Sequence, residues 1–137
     1  MKKISYIVLF FTLTLFIGFR AMAQTSRLYI GKYTGQGEKG LHIVDVDFSK
    51  KTFSTVSEND AGNNPSYFCI SKKRGIIYAI NEVGKMNGER AGGVTALKLD
   101  KNTGVANKLK DLAVPNGGPC YISLSPDEKF LLIANYG

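Results

Sequence analysis

The chain has 137 residues, of which 44% are hydrophobic, with 18 Lys and Arg against 11 Asp and Glu and a formal net charge of +7. That length holds one small domain, and the basic residues are scattered through turns and strand faces without a basic stripe or interleaved aromatics, so nucleic-acid binding is excluded as a reading. One His and two separated Cys offer no metal-ligand spacing, so neither a metal site nor a cofactor is expected.

The first predicted element is a targeting signal. Lys2 and Lys3 precede an apolar stretch from Ile4 to Phe19, and Ala21-Met22-Ala23 places small residues at the cleavage positions. The stretch is shorter than the ~20 residues that a membrane-spanning helix needs. Residues 1–23 are therefore expected to be removed, with cleavage after Ala23, giving a periplasmic or secreted protein that begins at Gln24. Lys2, Lys3 and Arg20 leave with the signal, which lowers the net charge from +7 to +4.

Everything after Gln24 reads as β. Leu28–Tyr33, Leu41–Val46, Tyr67–Ile70, Ile76–Asn81, Val94–Leu99 and Phe130–Asn135 are rich in β-branched and aromatic residues, and Gly, Asn, Asp, Lys and Pro separate them. No stretch keeps helical spacing for three turns. Between the first two runs, Gly35 to Gly40 fits G-x-G-x-x-G. The dinucleotide fingerprint needs a helix next, whereas LHIVDVD follows, so the segment is a hairpin loop. His42, which alternates with Val44 and Val46, is a sheet-face residue.

A repeat organises these runs. PSYFCISKKRGIIYAIN begins at Pro65 and PCYISLSPDEKFLLIAN at Pro119, an offset of 54 that aligns Tyr67 with Tyr121, Ser71 with Ser125 and Asn81 with Asn135. GLHIVDVD at Gly40 and GVTALKLD at Gly93 repeat at an offset of 53. Each unit is four short strands: one after the Pro, one ending in Asn, one opened by Gly and a last, more polar one. The expected fold is all-β, a propeller of four-stranded antiparallel blades, because a lone sheet of this kind cannot cover both faces and must stack on neighbours. The chain opens partway through one blade, completes a second from Pro65 to Pro115 and holds two strands of a third. Residues 24–137 are thus expected to be the N-terminal part of a truncated propeller domain. The turns Lys72–Gly75 and Pro126–Lys129 reverse their charge between copies and read as solvated. Cys69 and Cys120 fall on equivalent strands at opposite parity, which disfavours a disulfide and predicts two buried small residues.

The phrases LYIGKYT, NPSYFCIS with IIYAINE, GGVTALKLDKNTG and GGPCYISLSPDEKFLLIANYG resemble the lactonase propeller family that includes 6-phosphogluconolactonase and carboxymuconate cyclase. The resemblance implies seven blades, a ligand site at the polar mouth of the central channel and opening of a small-molecule lactone. The family usually carries His directly after Pro-Cys, where this chain has Tyr121.

Lactone hydrolysis needs a base for water and donors for the oxyanion. Glu82, after Asn81 at a strand end, is the expected catalytic base. Asn81, Asn135, Tyr33 and Tyr121 are the expected substrate-binding groups, although Asn at a strand end also serves as a backbone cap and the match of Tyr67 with Tyr121 also fits packing between blades. Two functions remain open: an exported sugar lactonase, of which these residues alone are expected to be inactive, and a non-catalytic surface scaffold for carbohydrate or protein.

Overall fold

The computed structural model describes residues 25–137 apart from Gln36. The predicted signal at residues 1–23 lies outside the described residues. Nine strands run in chain order: β1 Thr25–Gly31, β2 Leu41–Asp47, β3 Thr52–Asn59, β4 Phe68–Ser71, β5 Ile76–Asn81, β6 Ala91–Leu99, β7 Ala106–Pro115, β8 Pro119–Leu124 and β9 Leu131–Asn135. Among the described residues there is no helix.

The strands form three antiparallel meanders, β1-β2-β3, β4-β5-β6-β7 and β8-β9. Among the described residues the middle sheet is the complete four-stranded blade, the first holds three strands, and the third carries the first two strands of the same plan. The middle sheet runs from Phe68 to Pro115, inside the Pro65–Pro115 span that the repeat marks. The polar outer strands β3 and β7 carry a bulge each in their pairing, between Ile43 and Val44 and between Ala96 and Leu97. Such bulges sharpen the twist that lets blades fan around an axis.

The alternation along β5 explains how the sheets stack. Ile77 and Ala79 join Leu41, Ile43, Leu97 and Leu99 in a core between the first and middle sheets. Ile80 points the other way, into a second core with Val94 and Ile122 that joins the middle and third sheets. A period of two on a sheet buried on both faces therefore supplies two cores from one strand.

Repeated small devices lock neighbouring blades. Pro65 sits against Gly40, and Pro119 against Gly92, at positions where a Cβ would collide with the proline ring. Asn81 donates to the Ala61 carbonyl at 2.7 Å, and Asn135 donates to the Pro115 carbonyl at 2.9 Å, each bond reaching back 20 residues. Glu128, in a turn expected to be purely solvated, accepts a 2.6 Å bond from Ser71 of the adjacent sheet.

The two cysteines are free thiols. Cys69 is half-buried, and burial pushes its thiol up to about 11. Cys120, expected to be buried, is exposed. The register shift between Pro119 and Tyr121 makes it the extra residue of a bulge, which lifts it out of the strand alternation. The G-x-G-x-x-G segment leads straight into β2, and His42 lies on that strand with its Nε2 3.1 Å from the Lys39 carbonyl.

Candidate functional site

The chain leaves β5 at Asn81, and the next residue carries the site. The Glu82 backbone is fixed on both sides by Asn64: the Glu82 amide donates to the Asn64 carbonyl at 3.1 Å, and the Asn64 side-chain amide donates to the Glu82 carbonyl at 3.2 Å. Asn64 sits in the left-handed region, φ 50°, which an Asn tolerates better than most residues. From there its side-chain oxygen accepts from the Thr34 amide at 2.9 Å, and its carbonyl accepts from the Ser66 amide at 2.7 Å. One residue thus ties together the segments that carry Tyr33, Ser66 and Glu82.

The Glu82 carboxylate is surrounded by hydroxyls. Ser66 donates to Oε2 and Tyr136 donates to Oε1 at 3.0 Å, and the Tyr33 hydroxyl lies close enough to the carboxylate to shift its pKa. These donors, Ser66 foremost, hold Glu82 below the ordinary 4.5 of a glutamate, against a smaller opposing effect of burial. The same bonds raise Tyr33 and Tyr136 above 10.0, since a phenolate beside a carboxylate is disfavoured. The result is an ionised acceptor ringed by proton-retaining donors.

The repeat explains the convergence. The offset of 54 carries Glu82 onto Tyr136, and Ser66 onto Cys120. In the first sheet the Lys32 amide bonds to the Gly40 carbonyl, as Asn81 faces Gly93 in the middle sheet, so Tyr33 takes the place of Glu82. Three equivalent positions of consecutive blades therefore meet at one point. A propeller does this by geometry, because equivalent strand ends all approach the axis.

Of the residues singled out from the sequence, the structure brings Glu82 and Tyr33 together. Tyr33 lies two residues beyond β1, which ends at Gly31. Asn81 is buried, with its amide on Ala61 and its side-chain oxygen 3.0 Å from the Thr95 hydroxyl. Asn135 makes the matching bond to Pro115, so both act as ties between blades. Tyr121 packs on Tyr67, with ring centroids 4.8 Å apart and planes tilted by 40°. Sequence reasoning missed Ser66 and Tyr136. The offset of 54, applied to Glu82, points straight to Tyr136; nothing comparable marks Ser66, whose position depends on the left-handed turn at Asn64.

Comparison with known proteins gives a consistent family. A family model described as lactonase, seven-bladed β-propeller, matches residues 27–137. The 6-phosphogluconolactonase of Bacillus subtilis is 33% identical over 108 residues, which make up 79% of this chain and 30% of that protein. Among solved structures, the periplasmic gluconolactonase of Pseudomonas aeruginosa shares the fold with a TM-score of 0.71 at 24% identity, over 82% of this chain and 31% of its own. A Bacteroides fragilis structure provisionally named 6-phosphogluconolactonase gives 0.67 at 26% identity, over 81% of this chain and 30% of its own. The chain spans about 30% of the length of these relatives.

Proposed function

The chain belongs to the seven-bladed β-propeller lactonases, and on that premise we propose that the protein carrying it is an exported enzyme that hydrolyses a sugar lactone, with Glu82 in its active site. The observation that carries this reading is the convergence of Tyr33, Glu82 and Tyr136, equivalent positions of three successive blades, on one ionised carboxylate. Glu82 takes a proton from water as the water oxygen attacks the lactone carbonyl. The ring C–O bond then breaks as the tetrahedral intermediate collapses, and the departing alkoxide takes the proton that Glu82 accepted, which restores the carboxylate. Tyr33 and Tyr136, whose raised pKa values keep their protons in place, serve as donors to substrate oxygens.

The same charge bears on the substrate. Among the described residues, hydroxyl donors and burial set the Glu82 pKa, and no Lys or Arg contributes. A phosphate held close to this carboxylate would meet like charge from it, whereas sugar hydroxyls can donate to it. The reading is therefore an unphosphorylated sugar lactone. Residues 1–23 act as the export signal, and the mature protein works in the periplasm or outside the cell. The 137 residues alone, which cover about 30% of their relatives' length, are expected to be inactive.

The test is to assay the full-length protein on gluconolactone and on 6-phosphogluconolactone. The wild type should open the first faster, and Glu82→Gln should lower kcat by roughly a hundredfold or more, as loss of a general base does. Full activity in Glu82→Gln would remove Glu82 from the chemistry. A folded wild type with no activity on either lactone would instead favour a non-catalytic scaffold for carbohydrate or protein partners.

A further inference from the structure

The chain uses one turn twice to enter successive blades, once with a side chain and once without. Asn64 precedes Pro65 and Gly118 precedes Pro119, so the offset of 54 between the two blades pairs Asn64 with Gly118. Both are left-handed, with φ 50° and 59°. Both carbonyls accept from a residue of the site, Asn64 from the Glu82 amide and Gly118 from the Tyr136 amide, each at 3.1 Å. The backbone half of the task therefore needs no side chain, and a left-handed position ordinarily favours glycine.

The Asn64 carboxamide serves a different purpose. Its oxygen accepts from the Thr34 amide at 2.9 Å, and its nitrogen donates to the Glu82 carbonyl at 3.2 Å. The Asn64 backbone amide returns a bond to the Thr34 hydroxyl oxygen at 2.9 Å. One end of this bridge lies on the residue after Tyr33, and the other on Glu82 itself. The first and middle sheets are thereby fixed to each other within one residue of both groups. At the matching point of the next blade the Gly118 amide donates to the Val83 carbonyl at 2.9 Å, and glycine has no side chain to add a second tie.

We propose that Asn64 is a positioning residue of the site, its carboxamide setting Tyr33 of one blade against Glu82 of the next. The catalytic consequence rests on Glu82 as general base; the geometric one does not. Water attack needs base and donor in a fixed relation, and a misplacement of about 1 Å costs roughly a hundredfold in rate. Ser66 and Tyr136 reach Glu82 through bonds that the Asn64 side chain does not make, so they survive its removal. The placement of Tyr33 does not.

The experiment uses Asn64→Gly in the full-length protein. This variant keeps the left-handed turn and its carbonyl bonds, as Gly118 does in the next blade, and so keeps the fold. The first readout is NMR titration of the Glu82 carboxyl carbon, which needs no turnover. Among the described residues the titratable groups facing Glu82 are Tyr33 and Tyr136, with Cys120 in electrostatic reach of both tyrosines. Loss of the Tyr33 contribution should move the Glu82 midpoint upward, toward 4.5. The second readout is lactone hydrolysis, in which kcat should fall roughly tenfold or more while KM changes less than about twofold. In a Glu82→Gln background, adding Asn64→Gly should cost nothing further, because Asn64 acts through that carboxylate. An unmoved Glu82 midpoint would overturn the proposal. So would an equal fall in kcat in both backgrounds, which marks a merely structural role. If Glu82→Gln is fully active, the general-base reading fails by itself, and the midpoint still decides whether Asn64 positions Tyr33 against Glu82.

Discussion

The middle sheet and the first sheet are built from the same repeat and meet different surroundings. In the middle sheet Ile77, Ile80 and Leu97 have no exposure, because packed sheets cover both faces. In the first sheet one face packs on the middle blade through Leu41 and Ile43, while Leu28 and Ile30 on the other face remain 43% and 46% exposed. Leu28, Ile30, Val44, Val46 and Phe53 line an apolar groove of about 480 Å³ there. The same alternation of apolar side chains therefore carries different weight in the two places. In a propeller, burial is a property of the neighbouring blade as much as of the strand itself.

This contrast predicts the largest difference in stability. Leu97→Ala removes a fully buried side chain from the core shared by two sheets and should cost about 3 kcal/mol in urea unfolding. In the 137-residue chain by itself, Leu28→Ala should cost less than about 1 kcal/mol, since its side chain there is already half in water. An equal cost at Leu28 would break the comparison and show that something covers the open face in solution, a further sheet or a second copy.

The paired asparagines sharpen the same contrast. Asn81 and Asn135 make equivalent bonds to carbonyls 20 residues back, but Asn81 is buried and Asn135 exposed. Removing Asn81 strands the Ala61 carbonyl away from water, whereas water replaces the lost partner at Pro115. Asn81→Ala should therefore cost about 2 kcal/mol and Asn135→Ala at most about 1 kcal/mol. Equal losses would mean that the tie itself, and not its burial, sets the energy.

How much of this was legible follows from which residues repeat. Pro65 with Pro119, and Asn81 with Asn135, revealed the blade period because each performs a backbone task that only its residue type does well. Glu82 and Tyr33 were legible as strand-end polar groups. The ligand roles expected for Asn81 and Asn135 compete with the interblade bonds that occupy their amides, and sequence alone does not rank the two. Ser66 was invisible because its position follows from the left-handed Asn64, and Cys120 because a bulge has no clear mark in a single chain. The outer strand β7 is exposed at most positions, so it lacks the apolar alternation that announces a strand.

The turns that close these sheets supply the smallest and most local effect. Asp47 accepts from the Ser49 hydroxyl at 2.6 Å and from the Ser49 and Lys50 amides at 3.0 Å each, which lowers its carboxyl to about 2. Asp100, its counterpart in the repeat, accepts from the Asn102 and Thr103 amides and is lowered as well. A carboxylate whose pKa is depressed in the folded state stabilises that state fully above its unfolded value, the ordinary 3.8, and loses this contribution as pH falls through the folded value. Acid should therefore weaken the β2–β3 turn between pH 3.8 and about 2. Because both turns are exposed and closed by their own amides, Asp47→Ala and Asp100→Ala should lower Tm by similar, small amounts despite the unequal packing of their sheets. NMR titration of the Asp47 carboxyl carbon checks the electrostatic half: a midpoint near 2 fits the closed turn, and one near 3.8 means that the turn is open in solution. A clearly larger Tm loss at Asp100 would show instead that the middle blade's packing reaches into its turns, and the difference between the two sheets would then extend beyond their cores.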